Sequence, residues 1–352
     1  MTAPSAPRPL IDGPSAWVGA ELAQRPADWT YVLTPAEIAE IERAAAGVRD
    51  AGLDLGTITR ASFPLPTLGP TLDRLRGEIL DGRGFILIRG LPVAGKNLVD
   101  NAAAYLGIGS YLGHPRSQNA MGHILGHVRD MGLSAEKDPN VRIYQTTERQ
   151  TFHTDSCDIV GLLCLKTAQS GGLSSIVSSM TIYNEMATKR PDLARLLFQP
   201  FATDRRGEVP VGKKPYFEIP VFNDHAGFLS VIYARRYIIS ARRFSDVPPF
   251  TPEQIAALDL FDDLANDQRL RLDMAFKPGD MQFLQNHTIL HDRTAYVDWP
   301  EEADKRHLLR LWLAAPGARP LPAIYAERYG SVTVGDRGGI ICPGTRLNVP
   351  VA

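Results

Sequence analysis

The segment TFHTDSCDIVGLLCL, residues 151–165, sets a histidine and an aspartate two apart at the mouth of an almost unbroken apolar run. Residues i and i+2 of an extended chain share a face, so His153 and Asp155 project together if this stretch is a strand. One imidazole and one carboxylate suit a divalent first-row metal, and a second histidine would complete a 2-His-1-carboxylate set with positions left open on the ion. Taken alone, His-x-Asp is more often a solvated or hydrogen-bonded pair. The rest of the chain must supply the partner.

A partner is available. KPGDMQFLQNHTILHDRTAY, residues 277–296, reads as a turn, a strand and then two histidines, His287 and His291. DKRHLLRLWLAA, residues 304–315, is a strand with Arg306 and Arg310 four apart, the latter inside an apolar alternation. An arginine in a core strand is costly unless it meets a carboxylate, so this strand asks for an anionic ligand. His307 falls on the face of Leu309, opposite Arg310. His123 and His127 sit four apart in HILGH, as on zinc-binding helices, but Ile124 stands where a metalloprotease has glutamate. They are expected in a loop or helix, with some chance that one lines a substrate pocket. His114 and His225 read as structural.

Composition bounds the answer. The 352 residues are 44% hydrophobic and 22% charged, enough for a large core without staples. Thirty-eight Lys and Arg against 39 Asp and Glu give a net charge of −1, without the basic excess that nucleic-acid binding brings. Cys157, Cys164 and Cys342 are too few and scattered for a disulfide framework and read as small hydrophobes in a reducing compartment. The start lacks a signal-peptide pattern, and the run Ile159 to Leu165 is far short of the roughly 20 residues that cross a bilayer. A cytoplasmic protein with no membrane partner is the expectation.

The first thirty residues, rich in Pro, Ala and Ser, are expected to form a loosely packed arm. Helices are predicted from Thr34, from Gly69 to Gly82, over 97–107, over 181–190 and from Thr251, with capping-box starts at Thr34 and Thr251. Residues 107–115 read as loop. GFILIRGLPV (84–93) is a buried strand, and further strands are read in VRIYQTT, DIVGLLCLKTA, LSSIVSS, YFEIPVF, GFLSVIYARRYII, DMQFLQN and HLLRLWLAA. Many short strands with few helices indicate a mainly β jelly roll with helical additions. No internal repeat is present.

At these motifs the chain resembles the taurine dioxygenase/clavaminate synthase-like (TauD/TfdA) group of iron(II)- and 2-oxoglutarate-dependent oxygenases. GFILIRGLPV, FHTDSCD, SGGLSSIVSS, PGDMQFLQNHTILHDR and RHLLRLWL carry the resemblance in the family's order. It implies a double-stranded β-helix over residues 76–320, with a helical extension over 1–75 and a tail over 321–352 packed on the core. It implies Fe(II) held by His153, Asp155 and His291, with His291 preferred over His287. It further implies 2-oxoglutarate bound by Arg310, assisted by Arg306 and by Ser174 in place of the family's usual threonine, and dioxygen as the second cosubstrate. The reaction expected is oxidation of a C–H bond in a small polar organic molecule, releasing succinate and CO2. Halogenation is disfavoured because Asp155 is retained. Asn119, Tyr144 and Gln145 are substrate candidates. Arg235, Arg236, Arg242 and Arg243 read as a solvated face, one of which could hold an anionic substrate group. A non-catalytic carboxylate-binding jelly roll and a zinc hydrolase are the alternatives, and a homo-oligomer is left open.

Overall fold

In the computed structural model, which describes residues 8–134 and 141–351, the strands divide mainly between two sheets. The larger contains β1 (Thr30–Val32), β2 (Phe85–Arg89), β3 (His114–Pro115), β4 (Leu125–Val128), β6 (Ile159–Lys166), β14 (Met281–Gln285) and β17 (His307–Ala314). Its order is β1-β2-β14-β6-β17-β3, with β4 also on β17, and only the β1–β2 pair is parallel. The smaller is fully antiparallel, with β5 (Gln150–His153), β8 (Ser174–Ser178), β13 (Arg271–Met274) and β15 (Ile289–Arg293) in the order β13-β8-β15-β5. Three two-stranded pieces complete the set: β7 (Ser170–Gly171) with β16 (Tyr296–Val297), β9 (Pro200–Asp204) with β10 (Tyr216–Pro220), and β11 (Phe222–His225) with β12 (Phe228–Val231).

Strand alternation sorts the apolar side chains into layers. Phe85, Leu87, Val160, Leu284 and Trp312 of the larger sheet share one cluster with Ile176, Leu272, Met274 and Ile289 of the smaller. The intervening residues Ile86, Ile88, Leu309, Leu311 and Leu313 point the other way, against α2 (Pro35–Asp50), α3 (Leu68–Leu80) and α4 (Leu98–Gly109). The outer face of the smaller sheet is covered by α5 (Ser179–Lys189), α6 (Pro191–Leu196) and α8 (Pro252–Asn266) through Phe152, Val177 and Leu290. Each such side chain, fully buried, contributes roughly 1.5–3 kcal/mol. Both expected capping boxes form, Thr34 with Glu37 and Thr251 with Gln254.

Several local expectations are corrected. The chain is a mixed sheet-and-helix fold in which helices hold at least as many residues as strands. VRIYQTT is not a strand: Ile143–Gln145 forms a single 3-10 turn, closed by Thr146 Oγ1 donating to the Ile143 carbonyl. ARRYII leaves β12 and enters the short helix α7 (Arg235–Ser240), where Arg235 pairs with Asp259 and Asp262 of α8. Residues 107–115 are not all loop, since α4 runs to Gly109 and β3 follows. Residues 8–30 are not a loose arm. They include α1 (Gly19–Ala23), and Trp17, Leu22 and Trp29 are buried in the cluster between the sheets. Pro and Ala dominate the local composition there, but two indoles supply the apolar area that pins the segment. Residues 1–7 lie outside the described ones. No helix of the described residues is long and apolar enough to cross a membrane.

The C-terminal segment is tied down partly through histidines. His127 Nε2 faces the Pro350 carbonyl at 2.8 Å, so that nitrogen donates, and its Nδ1 accepts from His307 Nε2 at 2.8 Å. His127 lies opposite Leu309 in the β4–β17 register, so His307 shares the Leu309 face as alternation requires. Burial first, and then His127, push His307 down to about 4. As pH falls below about 6.5 the unfolded chain binds this proton first. Stability is therefore full above that pH, falls through the window, and levels off below about 4. Urea unfolding at about pH 7 and about pH 5 should show His307→Gln losing about 2 kcal/mol less than the parent protein.

Candidate functional site

The antiparallel pairing of β5 with β15 sets His153 directly opposite His291. Their ring centroids are 4.1 Å apart. Asp155 follows β5, its carboxylate 3.8 Å from His153 Nε2 and 3.7 Å from His291 Nε2. One potential ligand atom from each of the three lies within 4.8 Å of the other two, the one such group among the described residues. That spacing fits a single first-row metal ion.

The electrostatics prepare the same ligands. His153 Nδ1 lies 2.8 Å from the Thr151 carbonyl and donates to it, which leaves the Nε2 lone pair facing inward. Gln150 Nε2 donates to that lone pair at 2.8 Å, occupying the direction a metal would take. Burial, and then His153, push His291 down to about 3, so this imidazole is neutral across the physiological range. Burial works against ionising Asp155, but Arg310, His291 and His153 outweigh it and hold the carboxyl below the usual range. Its Oδ2 accepts from Trp312 Nε1 at 2.7 Å and from Arg310 Nη1 at 3.3 Å.

The main chain of Asp155 is gripped from the turn between β14 and β15. Asn286 Oδ1 accepts from the Asp155 amide at 2.7 Å, and its Nδ2 donates to the Asp155 and Cys157 carbonyls. Three residues on, Asp158 is fully buried. It accepts from His287 Nε2 at 2.9 Å and Arg337 Nε at 2.8 Å through Oδ1, and from the Ala315 amide at 3.0 Å through Oδ2. His287 therefore serves this network and stands outside the metal-type group.

Arg310 and Arg306 differ in surroundings. Arg310 Nε donates to Gln118 Oε1 at 2.7 Å, and its guanidinium lies 4.7 Å from the Tyr144 ring and 4.9 Å from the Trp312 ring. Its Nη1 donates to Asp155, so Nε and Nη1 both have partners. Arg306 is equally buried, yet its Nη1 has no hydrogen-bond partner among the described residues. Nearby Arg293 likewise has Nε and Nη1 unpaired, and both guanidinia lie over the Tyr296 ring. Burial lowers both, Arg293 to about 10, with Arg306 adding to the effect there. Gly172, in the left-handed region, makes room for Arg306: a Cβ there would meet Arg306 Nε at 2.9 Å. Ser174 Oγ donates to Gln282 Oε1 at 3.3 Å. A small cavity joins Ser174, Arg293 and Arg306 to His153 and His291.

A larger cavity of about 330 Å³ opens on the other side of His153 and Asp155. Tyr144 lines both cavities. Asn119 and Gln145, the other two substrate candidates, line neither. Asn119 closes a turn through Met121 and His123, and Gln145 accepts the Met131 amide through its carbonyl. His123 and His127 also stay outside both cavities. Arg235 and Arg236, expected on a solvated face, line the larger one, while Arg243 pairs with Asp204 and Arg242 lies over Phe250. Gln118, Trp312, Arg142 and Arg328 are cavity residues that motif reasoning missed. Only the alternation placing Trp312 on the Arg310 face signals one of them. Cys157 and Cys164 are buried and, with Cys342, unbridged.

Two sheets flanking a His-Asp-His group, with buried arginines beside it that keep unpartnered nitrogens among the described residues, fit the class of the mononuclear non-haem iron oxygenases. The profile described as "Taurine catabolism dioxygenase TauD, TfdA family" matches residues 48–312, and the chain belongs to that family. It is 32% identical over 329 residues to the FR-33289 synthase of Streptomyces rubellomurinus (strain ATCC 31215), covering 91% of this chain and 95% of that one. It is 31% identical over 184 residues to a uridine-5'-phosphate dioxygenase of an Amycolatopsis species, covering 50% of this chain and 65% of that one. Among solved structures, asparagine oxygenase with Fe(II), 2S,3S-3-hydroxyasparagine and succinate superposes with a TM-score of 0.61 at 17% identity, covering 81% of this chain and 93% of that one. The chain is thus an enzyme, a dioxygenase of the TauD/TfdA type.

Removing Asp158 would strand Arg337 and His287 in the interior. Asp158→Ala should cost about 3–5 kcal/mol, seen as a large fall in thermal midpoint. An unchanged midpoint would contradict the role given to the network.

Proposed function

We propose that His153, Asp155 and His291 hold iron(II), and that Arg306 and Ser174 receive the distal carboxylate of 2-oxoglutarate. The observation carrying this is the register pair His153–His291 with Asp155 at ligand spacing, next to a buried arginine, Arg306, whose Nη1 has no hydrogen-bond partner and which makes no salt bridge among the described residues. With both bound, the chemistry supplied is oxidative decarboxylation of 2-oxoglutarate to succinate and CO2, coupled to oxidation of a substrate C–H bond by dioxygen. The solved relative holding Fe(II), succinate and a hydroxylated amino acid supports hydroxylation in particular.

The chain's own residues prepare that chemistry. Thr151 fixes the tautomer of His153, and Trp312 and Arg310 hold Asp155 ionised and oriented. Arg306 is better suited than Arg310 to anchor the cosubstrate, because Arg310 already donates to Asp155 and Gln118 while Arg306 Nη1 has no partner among the described residues. This reverses the ranking that the motifs alone suggest. The larger cavity, walled by Tyr144, Trp312 and aliphatic side chains, would take a small organic substrate and keep water from the reacting centre. We read residues 76–320 as a double-stranded β-helix, with 1–75 as its helical extension and 321–352 as a closing tail. Three unbridged cysteines agree with a reducing, cytoplasmic setting.

Anaerobic addition of Fe(II) and 2-oxoglutarate should give a weak visible charge-transfer band, and air should then release succinate. Asp155→Ala should abolish the band. Arg306→Gln should raise the 2-oxoglutarate concentration required by roughly 10–100-fold, whereas an effect confined to Arg310 variants would return the anchor role to that residue.

A further inference from the structure

Six arginines line the larger cavity, Arg142, Arg149, Arg235, Arg236, Arg310 and Arg328, against one lining carboxylate, Asp155. Four of them face an acid: Arg142 meets Glu208, Arg149 meets Asp292, Arg235 meets Asp259, and Arg310 meets Asp155. Arg328 differs. Its Nε donates to the neutral Ser156 Oγ at 2.7 Å, its guanidinium lies 5.7 Å from the Phe217 ring, and among the described residues no carboxylate pairs with it. Burial drives its pKa down, with Glu208 opposing and Arg142 adding to the fall, and its half-buried side chain lines the cavity.

Donors converge near it. Arg142 Nη1 donates to Tyr237 Oη at 2.6 Å, and the guanidinia of Arg142 and Arg206 each lie 5.4 Å from the Tyr237 ring. Arg236, next in sequence to Tyr237, lines the same cavity. A planar carboxylate is satisfied by one two-pronged arginine. Several cations approaching from different elements suit a head group with three charged oxygens. The rest of the wall, including Ile219, Val221 and Ile232, is apolar.

Resting on the oxygenase reading above, we propose that the substrate carries a phosphonate or phosphate-monoester group, seated on Arg328 and Arg236, with Arg142, itself paired with Glu208, adding positive charge beside them. Its carbon skeleton then lies along the apolar wall toward His153 and Asp155. The relative named as a uridine-5'-phosphate dioxygenase is consistent with such a head group.

The test uses metal-free protein titrated calorimetrically with propylphosphonate, ethyl phosphate, propanesulfonate and butyrate, above the second ionisation of the phosphorus probes. At least one phosphorus probe should bind about tenfold or more tightly than sulfonate or carboxylate. Whichever of the two binds better separates phosphonate from phosphate ester. Arg328→Gln and Arg236→Gln should each weaken that binding on the order of tenfold, Arg328→Lys should recover part of it, and Arg60→Gln, on a surface pair with Asp73, should change nothing. If Arg328→Gln does not fold, Arg236→Gln decides alone. Equal binding of all probes, no binding, or unaltered affinity in the variants overturns the proposal. Neither iron nor 2-oxoglutarate is present, so this failure is separate from absence of the charge-transfer band.

Discussion

The register of β5 against β15 is the constraint on which the site depends. His153 and His291 meet because they are cross-strand partners, and a slip of one residue would send one imidazole to the opposite face. That register is held from both sides. β15 is clamped between β5 and β8, and its Ile289 and Leu290 are buried in different apolar clusters above and below the sheet. Asp155 lies beyond the strand, where alternation no longer holds it, and the Asn286 side chain takes over by binding its main chain.

Around that pairing the protein tolerates an unusual number of buried charges. Some are settled internally, as in Asp158 with Arg337 and His287, where every strong donor meets the carboxylate. Others make no salt bridge among the described residues: the buried Arg306 and Arg293 beside the small cavity, and the half-buried Arg328 in the large one. A desolvated cation without a partner destabilises the fold. Both places flank the His-Asp-His group, and they are the proposed seats of two anionic ligands.

Much of the architecture was legible because it rests on short-range rules. The capping boxes at Thr34 and Thr251 read correctly, since side-chain capping needs only neighbours within a turn. The strands from Phe85, Ile159, Met281 and His307 read correctly because nearly continuous apolar runs leave few other places to go. The failures came where local pattern and tertiary environment disagreed. VRIYQTT has strand composition but is bent into a 3-10 turn that directs Arg142 and Tyr144 into the cavity. Trp17 and Trp29 were hidden in a Pro- and Ala-rich stretch.

By itself the sequence determined the family, because His-x-Asp, the later histidines and the two arginines are ordered along the chain with characteristic neighbours. Which histidine joins the pair, which arginine keeps an unpartnered nitrogen, and which side chains line the cavities were decided only in three dimensions. Those answers turn on partners more than a hundred residues apart, such as Asp155 with Arg310, Asp158 with His287, and Arg149 with Asp292. Linear pattern carries a residue's type and its periodicity. Whether its charge is already matched depends on packing, and packing is settled only once the sheets close.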